Sequence, residues 1–195
     1  MGACRLCTIE IVGASKLFAA CVTQVEEGME VIAHNPKLQD YRRMVVELLF
    51  TEGNHICAFC VANDNCELQD AAVKVGMEHS RFPYRSPDRH IDMSHPLFAI
   101  DHNHCILCTR CVRVCDEIEG AHVWDVAYRG ADCQIISGLN QPWGEVDACT
   151  SCGKCVDACP TGAIFRKSET TGEKARDPEK LEFLVNAREK HEWTR

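Results

Sequence analysis

The sequence predicts an α+β fold assembled from several small modules rather than one large core, and three observations predict it. The chain has 195 residues, of which 15 are cysteine. Fourteen of those cysteines fall into four groups, all within the first 165 residues. An eleven-residue cysteine pattern also recurs at an offset of 44 residues, so part of the chain is an internal duplication.

Composition narrows the possible functions. Apolar residues make up 46% of the chain and charged residues 26%, which excludes wholesale disorder. The net charge of −8 argues against a general nucleic-acid binder, which would be basic. The longest stretch without Asp, Glu, Lys or Arg is the 12 residues from Cys133 to Gly144, so no segment is predicted to cross a bilayer as a helix. No secretory n-region and h-region opens the chain, and a cytoplasmic location is expected. An odd number of cysteines does not pair off into disulfides, and dense cysteine in a cytosolic chain points to metal binding or catalysis.

The elements follow in order. Thr8 to Val12 alternates as a strand, Gly13-Ala14-Ser15 is a turn, and Lys16 to Val25 returns. Glu27-Gly28 marks a second turn and Met29 to Ala33 a further strand. A helix follows, with Asn35 as N-cap, Pro36 at its first position and Gly53 as its stop. Leu38, Tyr41, Met44, Val45, Leu48 and Leu49 form its predicted core stripe. Cys66 to Val75 reads as a shorter helix stopped by Gly76. Residues 78–96, with three prolines and no period, read as a loop joining two modules. Val123 to Tyr128 and Gln134 to Ser137 read as a hairpin around Arg129-Gly130. A last helix is predicted from Asp177-Pro178 to about Trp193, with Leu181, Leu184 and Val185 on one face.

The duplicated pattern carries the strongest chemistry. Cys105, Cys108, Cys111 and Cys115 align with Cys149, Cys152, Cys155 and Cys159, each set in C-x2-C-x2-C-x3-C spacing, and Pro160 follows the second. This is the bacterial two-cluster ferredoxin run. Three cysteines at this spacing wrap a loop around one cubane. The chain then turns helical, and the fourth cysteine lies one turn on, directed at the other cluster. One [4Fe–4S] cluster is therefore expected on Cys105, Cys108, Cys111 and Cys159, and another on Cys149, Cys152, Cys155 and Cys115. The alternative is structural zinc, which prefers two separated C-x2-C pairs per ion. Cys115 departs from the run in being followed by Asp116-Glu117 rather than proline.

Two further groups are incomplete. Cys57, Cys60 and Cys66 supply three thiolates, and His55 is the nearest fourth ligand for a [4Fe–4S] site. Its alternative is a polar loop residue. Cys4, Cys7 and Cys21 suggest a [2Fe–2S] site of ferredoxin type, which needs a fourth cysteine. The expectation is that this ligand lies upstream of Met1, outside the sequence, and that the strands from residue 8 to 31 form an incomplete sheet. Cys133 is expected to be a buried, small apolar residue rather than the missing ligand.

These residues resemble a known family. The carrying segments are GACRLC at 2–7, YRRMVVELLFTEGNHICAFC at 41–60, NCELQD at 65–70, CILCTRCVRVCDEIEGAHVWDVA at 105–127 and DACTSCGKCVDACPTGAIF at 147–165. Together they resemble the small electron-transfer subunit in the diaphorase half of bidirectional, NAD(P)-reducing [NiFe] hydrogenases. They are also similar to the N-terminal part of the large cluster-bearing subunit of complex I. The resemblance implies an incomplete β-grasp [2Fe–2S] unit over 1–34 and a helical [4Fe–4S] unit with one His and three Cys ligands over 35–80. It further implies a two-cluster ferredoxin-like unit with an inserted hairpin over 97–165, then a charged tail over 166–195. Only Ile56 separates His55 from Cys57, where the complex I pattern has three residues; the spacing looks like the hydrogenase branch. The long C-terminal region of the complex I subunit has no counterpart here, which points to a stand-alone small subunit.

The resemblance implies a relay of single electrons, with up to three [4Fe–4S] clusters and one [2Fe–2S] cluster as cofactors. The implied partners are a flavin and NAD-binding diaphorase subunit and the small and large hydrogenase subunits. The chain contains no G-x-G and no P-loop, and no catalytic residue of its own is expected. The rivals are the equivalent subunit of an NAD-dependent formate dehydrogenase or of complex I and, from another class, a zinc-stabilised interaction module. The tail, with 8 basic and 7 acidic residues over 166–195, reads either as a solvated helix or as a docking helix for a partner.

Overall fold

A computed structural model describes residues 2–175, together with 179, 182, 183 and 186. Asp177-Pro178 and the predicted tail face of Leu181, Leu184 and Val185 lie outside the described residues. The chain divides into two compact units, residues 1–52 with 68–85, and residues 53–67 with 86–195.

In the first unit, β1 (Thr8–Ile11) is the central strand of a three-stranded antiparallel sheet. It pairs with β2 (Leu17–Ala19) through Ile9 and Phe18, and with β3 (Val31–Ile32) through Glu10 and Ile32. The α1 helix (Pro36–Thr51) begins where the sequence places it: the Asn35 side chain accepts from the Leu38 N–H at 2.8 Å and Pro36 needs no donor there. The Arg42 guanidinium donates to the carbonyls of Leu6, Thr8 and Ala33, tying α1 to the strands. The α2 helix (Glu67–Lys74) is closed by Gly76 at φ +67°, a backbone state that costs glycine little.

The buried face of α1 is not the predicted stripe. Leu38 is buried, but Tyr41 and Leu48 are exposed, and the other buried residues are Val46, Glu47 and Thr51. The reason is Arg81, whose Nε–H donates to both Glu47 oxygens at 2.8 and 3.0 Å. A charge paired in this way can sit inside, and a hydrophobicity pattern has no term for it.

The second unit is built on β5 (Phe98–Asp101), buried along its whole length. It pairs antiparallel with β4 (Ile91–Asp92) on one side and β8 (Ile164–Arg166) on the other. None of these strands is predicted by the sequence pattern, and the predicted 78–96 loop gives up its end to β4. A separate hairpin joins β6 (Trp124–Ala127) to β7 (Gln134–Ser137), pairing Trp124 with Ser137 and Ala127 with Gln134. Cys133, at the foot of its turn, is half-buried rather than a core residue. Phe98, Ile100, Val114, Ile118, Trp124, Ile135, Trp143, Val156 and Ile164 form one core with Cys111, Cys115 and Cys155.

The duplication is visible in the backbone. Helix α3 (Arg110–Arg113) and helix α4 (Lys154–Ala158) start 44 residues apart. Each is preceded by two left-handed residues with one residue between them, Leu107 and Thr109 at φ +52° and +58°, then Ser151 and Gly153 at +57° and +75°. After α3 the chain continues as a π-helical turn over Val114–Glu119 and stops at Gly120. After α4 it leaves the helix at Cys159, which has extended backbone. The residue after each fourth cysteine explains the contrast. Pro160 disfavours helical geometry in Cys159, whereas Asp116 lets the helix run on past Cys115.

Candidate iron–sulfur sites

The eight cysteines of the duplicated pattern sort into two sets of four in space. Cys105, Cys108, Cys111 and Cys159 line one cavity of about 330 Å³, closed by Ile100, Ile135 and Ile164. Cys115, Cys149, Cys152 and Cys155 line another of about 320 Å³, walled by Phe98, Val123, Trp124 and Trp143. Each cavity thus takes three cysteines from one repeat and the fourth from the other. The alternating left-handed residues curl each C-x2-C-x2-C loop around its cavity. The short helix behind each loop then carries its last cysteine to the opposite one.

The donor chemistry fits a cationic cluster. Burial pushes the Cys105 and Cys155 thiols up to about 12 and raises Cys108, Cys111 and Cys115. A buried thiolate is costly on its own, and bonding to metal removes the cost, because the ligand form of cysteine is the deprotonated one. Hydrogen-bond donors are already turned toward the sulfurs. Trp143 Nε1–H donates to Cys149 Sγ at 3.3 Å, and the Val123 backbone N–H donates to Cys115 Sγ at 3.3 Å. Among the described residues no group of three His, Cys, Asp or Glu side chains is arranged to hold a single metal ion. One zinc ion would gather its sulfurs to about 2.3 Å from a single point. A cubane binds each sulfur at a separate iron and lets them stand further apart.

The Cys57–Cys66 loop lies in the same unit. Cys60 and Cys66 are buried, and Cys57 and His55 half-buried. The loop closes with the Cys60 N–H donating to the Cys57 carbonyl at 3.1 Å. The His55 ring meets His104 edge-on at 5.9 Å. Gly162 carries no side chain where a Cβ would collide with Cys60 Sγ. In the first unit Cys4 and Cys21 are exposed and Cys7 is half-buried. The Cys7 thiol and the Gly2 N–H, both hydrogen-bonded to Cys21, hold its thiol below the usual range.

Sequence reasoning missed the groups around these cysteines. His95 stacks on Phe98 at 5.0 Å and on Trp143 at 4.7 Å, with its Nε2 3.1 Å from Ser151 Oγ and 3.7 Å from Cys149 Sγ. Arg110 forms a bidentate pair with Glu67 at 2.6 and 2.7 Å, joining the α3 start to the chain just after Cys66. Lys154 pairs with Glu119 across the two repeats.

Three family models match this chain in tandem. Residues 1–36 match a 2Fe-2S iron-sulfur cluster binding domain. Residues 42–81 match the NADH-ubiquinone oxidoreductase-G iron-sulfur binding region. Residues 95–165 match the ferredoxin-like domain of NADH-quinone oxidoreductase subunit 3. The gamma subunit of NAD-reducing hydrogenase HoxS from Cupriavidus necator is 34% identical over 168 residues, which are 86% of this chain and 70% of that one. The chain belongs to this family of iron–sulfur electron-transfer subunits. The family reaches into complex I: the mitochondrial 78 kDa subunit of NADH-ubiquinone oxidoreductase from Neurospora crassa is 33% identical over 168 residues, 85% of this chain and 22% of that one. The alpha subunit of an NADPH-Fe(3+) oxidoreductase from Geobacter sulfurreducens is 36% identical over 166 residues, 85% of this chain and 19% of that one. The chain therefore spans about a fifth of these two longer relatives. A chain in the crystal structure of an NAD+-reducing [NiFe]-hydrogenase in its H2-reduced state superposes with a TM-score of 0.82 at 30% identity, over 92% of this chain and 81% of that one. Within this HoxS gamma-type family, the chain is a small mixed α/β protein carrying 2Fe-2S and 4Fe-4S ferredoxin-like regions, a part of an oxidoreductase. Among the described residues no helix is long and apolar enough to cross a membrane.

Proposed function

We propose that this chain relays single electrons between an NAD(H)-handling flavin subunit and a [NiFe] hydrogenase module, in the cytoplasm, as part of reversible H2 oxidation coupled to NAD(P)+ reduction. Cys105, Cys108, Cys111 and Cys159 hold one [4Fe–4S] cluster, and Cys149, Cys152, Cys155 and Cys115 a second. His55, Cys57, Cys60 and Cys66 hold a third. Cys4, Cys7 and Cys21 supply three ligands of a [2Fe–2S] site in an N-terminal β-grasp-like region. The observation that carries this reading is the sorting of eight cysteines into two four-cysteine cavities, each completed from the other repeat.

The clusters, when bound, supply one-electron acceptance and release; the protein supplies position, burial and charge. The isoleucine walls line the first cavity with apolar surface, which lowers the dielectric in which its potential is set. The Trp143 and Val123 N–H groups aim at thiolate sulfur and offset negative charge there. Shared helices of the duplicated unit hold the two cavities at a constant separation, since each ligates through the other's helix. The likeness to a chain of an NAD+-reducing [NiFe]-hydrogenase supports the hydrogenase setting over complex I.

Redox-poised EPR and metal analysis of the full chain, purified without air, test this directly. Three [4Fe–4S] signals with distinct midpoints are expected. Dominant zinc, or a colourless chain free of iron, would overturn the reading. Co-purification with partner subunits, and NAD+ reduction driven by H2 rather than formate, test the setting.

A further inference from the structure

The charged segment after Phe165 does more than cover the surface. Lys174 is 4% exposed. Its ammonium donates to three carbonyl oxygens, those of Cys159 at 3.2 Å, Thr161 at 2.6 Å and Ile164 at 2.7 Å. Three acceptors use all three of its N–H bonds. Its own backbone N–H donates to the Val61 carbonyl at 2.9 Å, and the Gly172 N–H donates to the Cys60 carbonyl at 3.2 Å. Residues 172–174 therefore strap two cysteine loops together, the one between Cys57 and Cys66 and the one that follows Cys159.

A buried cation needs a negative partner, because carbonyl dipoles satisfy its hydrogen bonds without cancelling its charge. Among the described residues Lys174 forms no ion pair with a carboxylate. The two loops that residues 172–174 join belong to the two thiolate-ligated sites, which carry net negative charge when loaded. Gly162 lies in the loop that Lys174 grips, and its missing side chain lets Cys60 Sγ come up against that loop. One ammonium thus faces both sites.

We propose that Lys174 is a fixed-charge positioning residue that raises the reduction potential of the Cys105–Cys108–Cys111–Cys159 site and, to a smaller extent, that of the His55–Cys57–Cys60–Cys66 site. The inference rests on the ligand sets proposed above. One-electron reduction makes a thiolate-bound cluster one unit more negative. The Lys174 ammonium, held by three carbonyl oxygens, places its positive charge where it favours the reduced form.

The test is redox-poised EPR on the full chain with four variants. Lys174→Gln keeps hydrogen-bond donors and removes the charge, Lys174→Arg keeps the charge, and Glu173→Gln removes an exposed neighbouring charge. Cys159→Ser identifies which signal belongs to the first site. In Lys174→Gln the one-electron reduction constant of that site is expected to fall at least tenfold, about 59 mV in midpoint. A smaller fall in the same direction is expected at the Cys57–Cys66 site. Lys174→Arg and Glu173→Gln are expected to stay near the parent. Unchanged midpoints in a fully loaded Lys174→Gln would overturn the proposal. So would the same shift in Lys174→Arg, or loss of the clusters from Lys174→Gln, which would make the residue a structural clamp. A parent chain without clusters would instead overturn the ligand sets, a result separable from all of these.

Discussion

The two cavities of the duplicated unit have the same cysteine spacing but unlike surroundings. The first, around Cys159, is walled by isoleucines and has a buried ammonium at its rim, with Arg110 paired to Glu67 nearby. The second, around Cys149, is walled by aromatic rings, with Trp143 stacked 5.6 Å from Phe98 and edge-on 4.6 Å from Trp124. Its sulfurs receive neutral N–H donors, and Lys154, which lines it, is paired with Glu119. A duplicated ligand pattern therefore does not give duplicated electrostatics. The first site has an ammonium held by carbonyls alone where the second has one paired to a carboxylate, and the two are expected to titrate apart.

The largest perturbation available removes a shared ligand. Cys159→Ser is expected to abolish the cluster of the Cys105 loop and Cys115→Ser that of the Cys149 loop, each leaving the other signal in place. Iron content and EPR check this; loss of the same-repeat cluster would break the crossed pairing. Acid strikes the scaffold next. Burial lowers His102 to about 4, so the folded chain resists its protonation while the unfolded chain accepts a proton near 6.5. Stability is then full above pH 6.5 and falls as pH drops toward 4, by up to about 3 kcal/mol. Denaturant melts across that window measure it, and potentials of the two sites are best compared above it. A smaller effect sharpens the contrast itself. Trp143→Phe removes the donor to Cys149 and is expected to lower the second site's midpoint by no more than about 59 mV, a tenfold change, without moving the first. The smallest comes from the loops. Thr109→Gly gives the first loop the residue that the second already has at Gly153, and relief of its left-handed backbone is expected to add about 1 kcal/mol to stability, read by thermal unfolding.

What the sequence made legible was whatever spacing alone encodes. The offset of 44 residues carried the paired loops, the start of each helix and the grouping of cysteines that line each cavity. Asn35-Pro36 marked a helix start because capping is local chemistry. Strands β4 and β8 went unread because two and three residues are too few to show alternation, and β5 because it is buried on both faces. Glu47 and Lys174 went unread for a shared reason. Each is a charged residue made internal by partners 34 and 10 to 15 residues away, and no local pattern reports such a partner. Cys133 illustrates the converse, since its residue type suggests burial while its place at a hairpin turn leaves it half-covered.

Gly162 has a reach out of proportion to its size. Electron tunnelling between neighbouring carriers weakens exponentially with the gap it must cross, so an atom's width of extra spacing slows transfer severalfold. A methyl group at this position would occupy the space that Cys60 Sγ now fills and drive the two loops apart. The throughput of the whole conduit would then hang on the absence of one carbon atom.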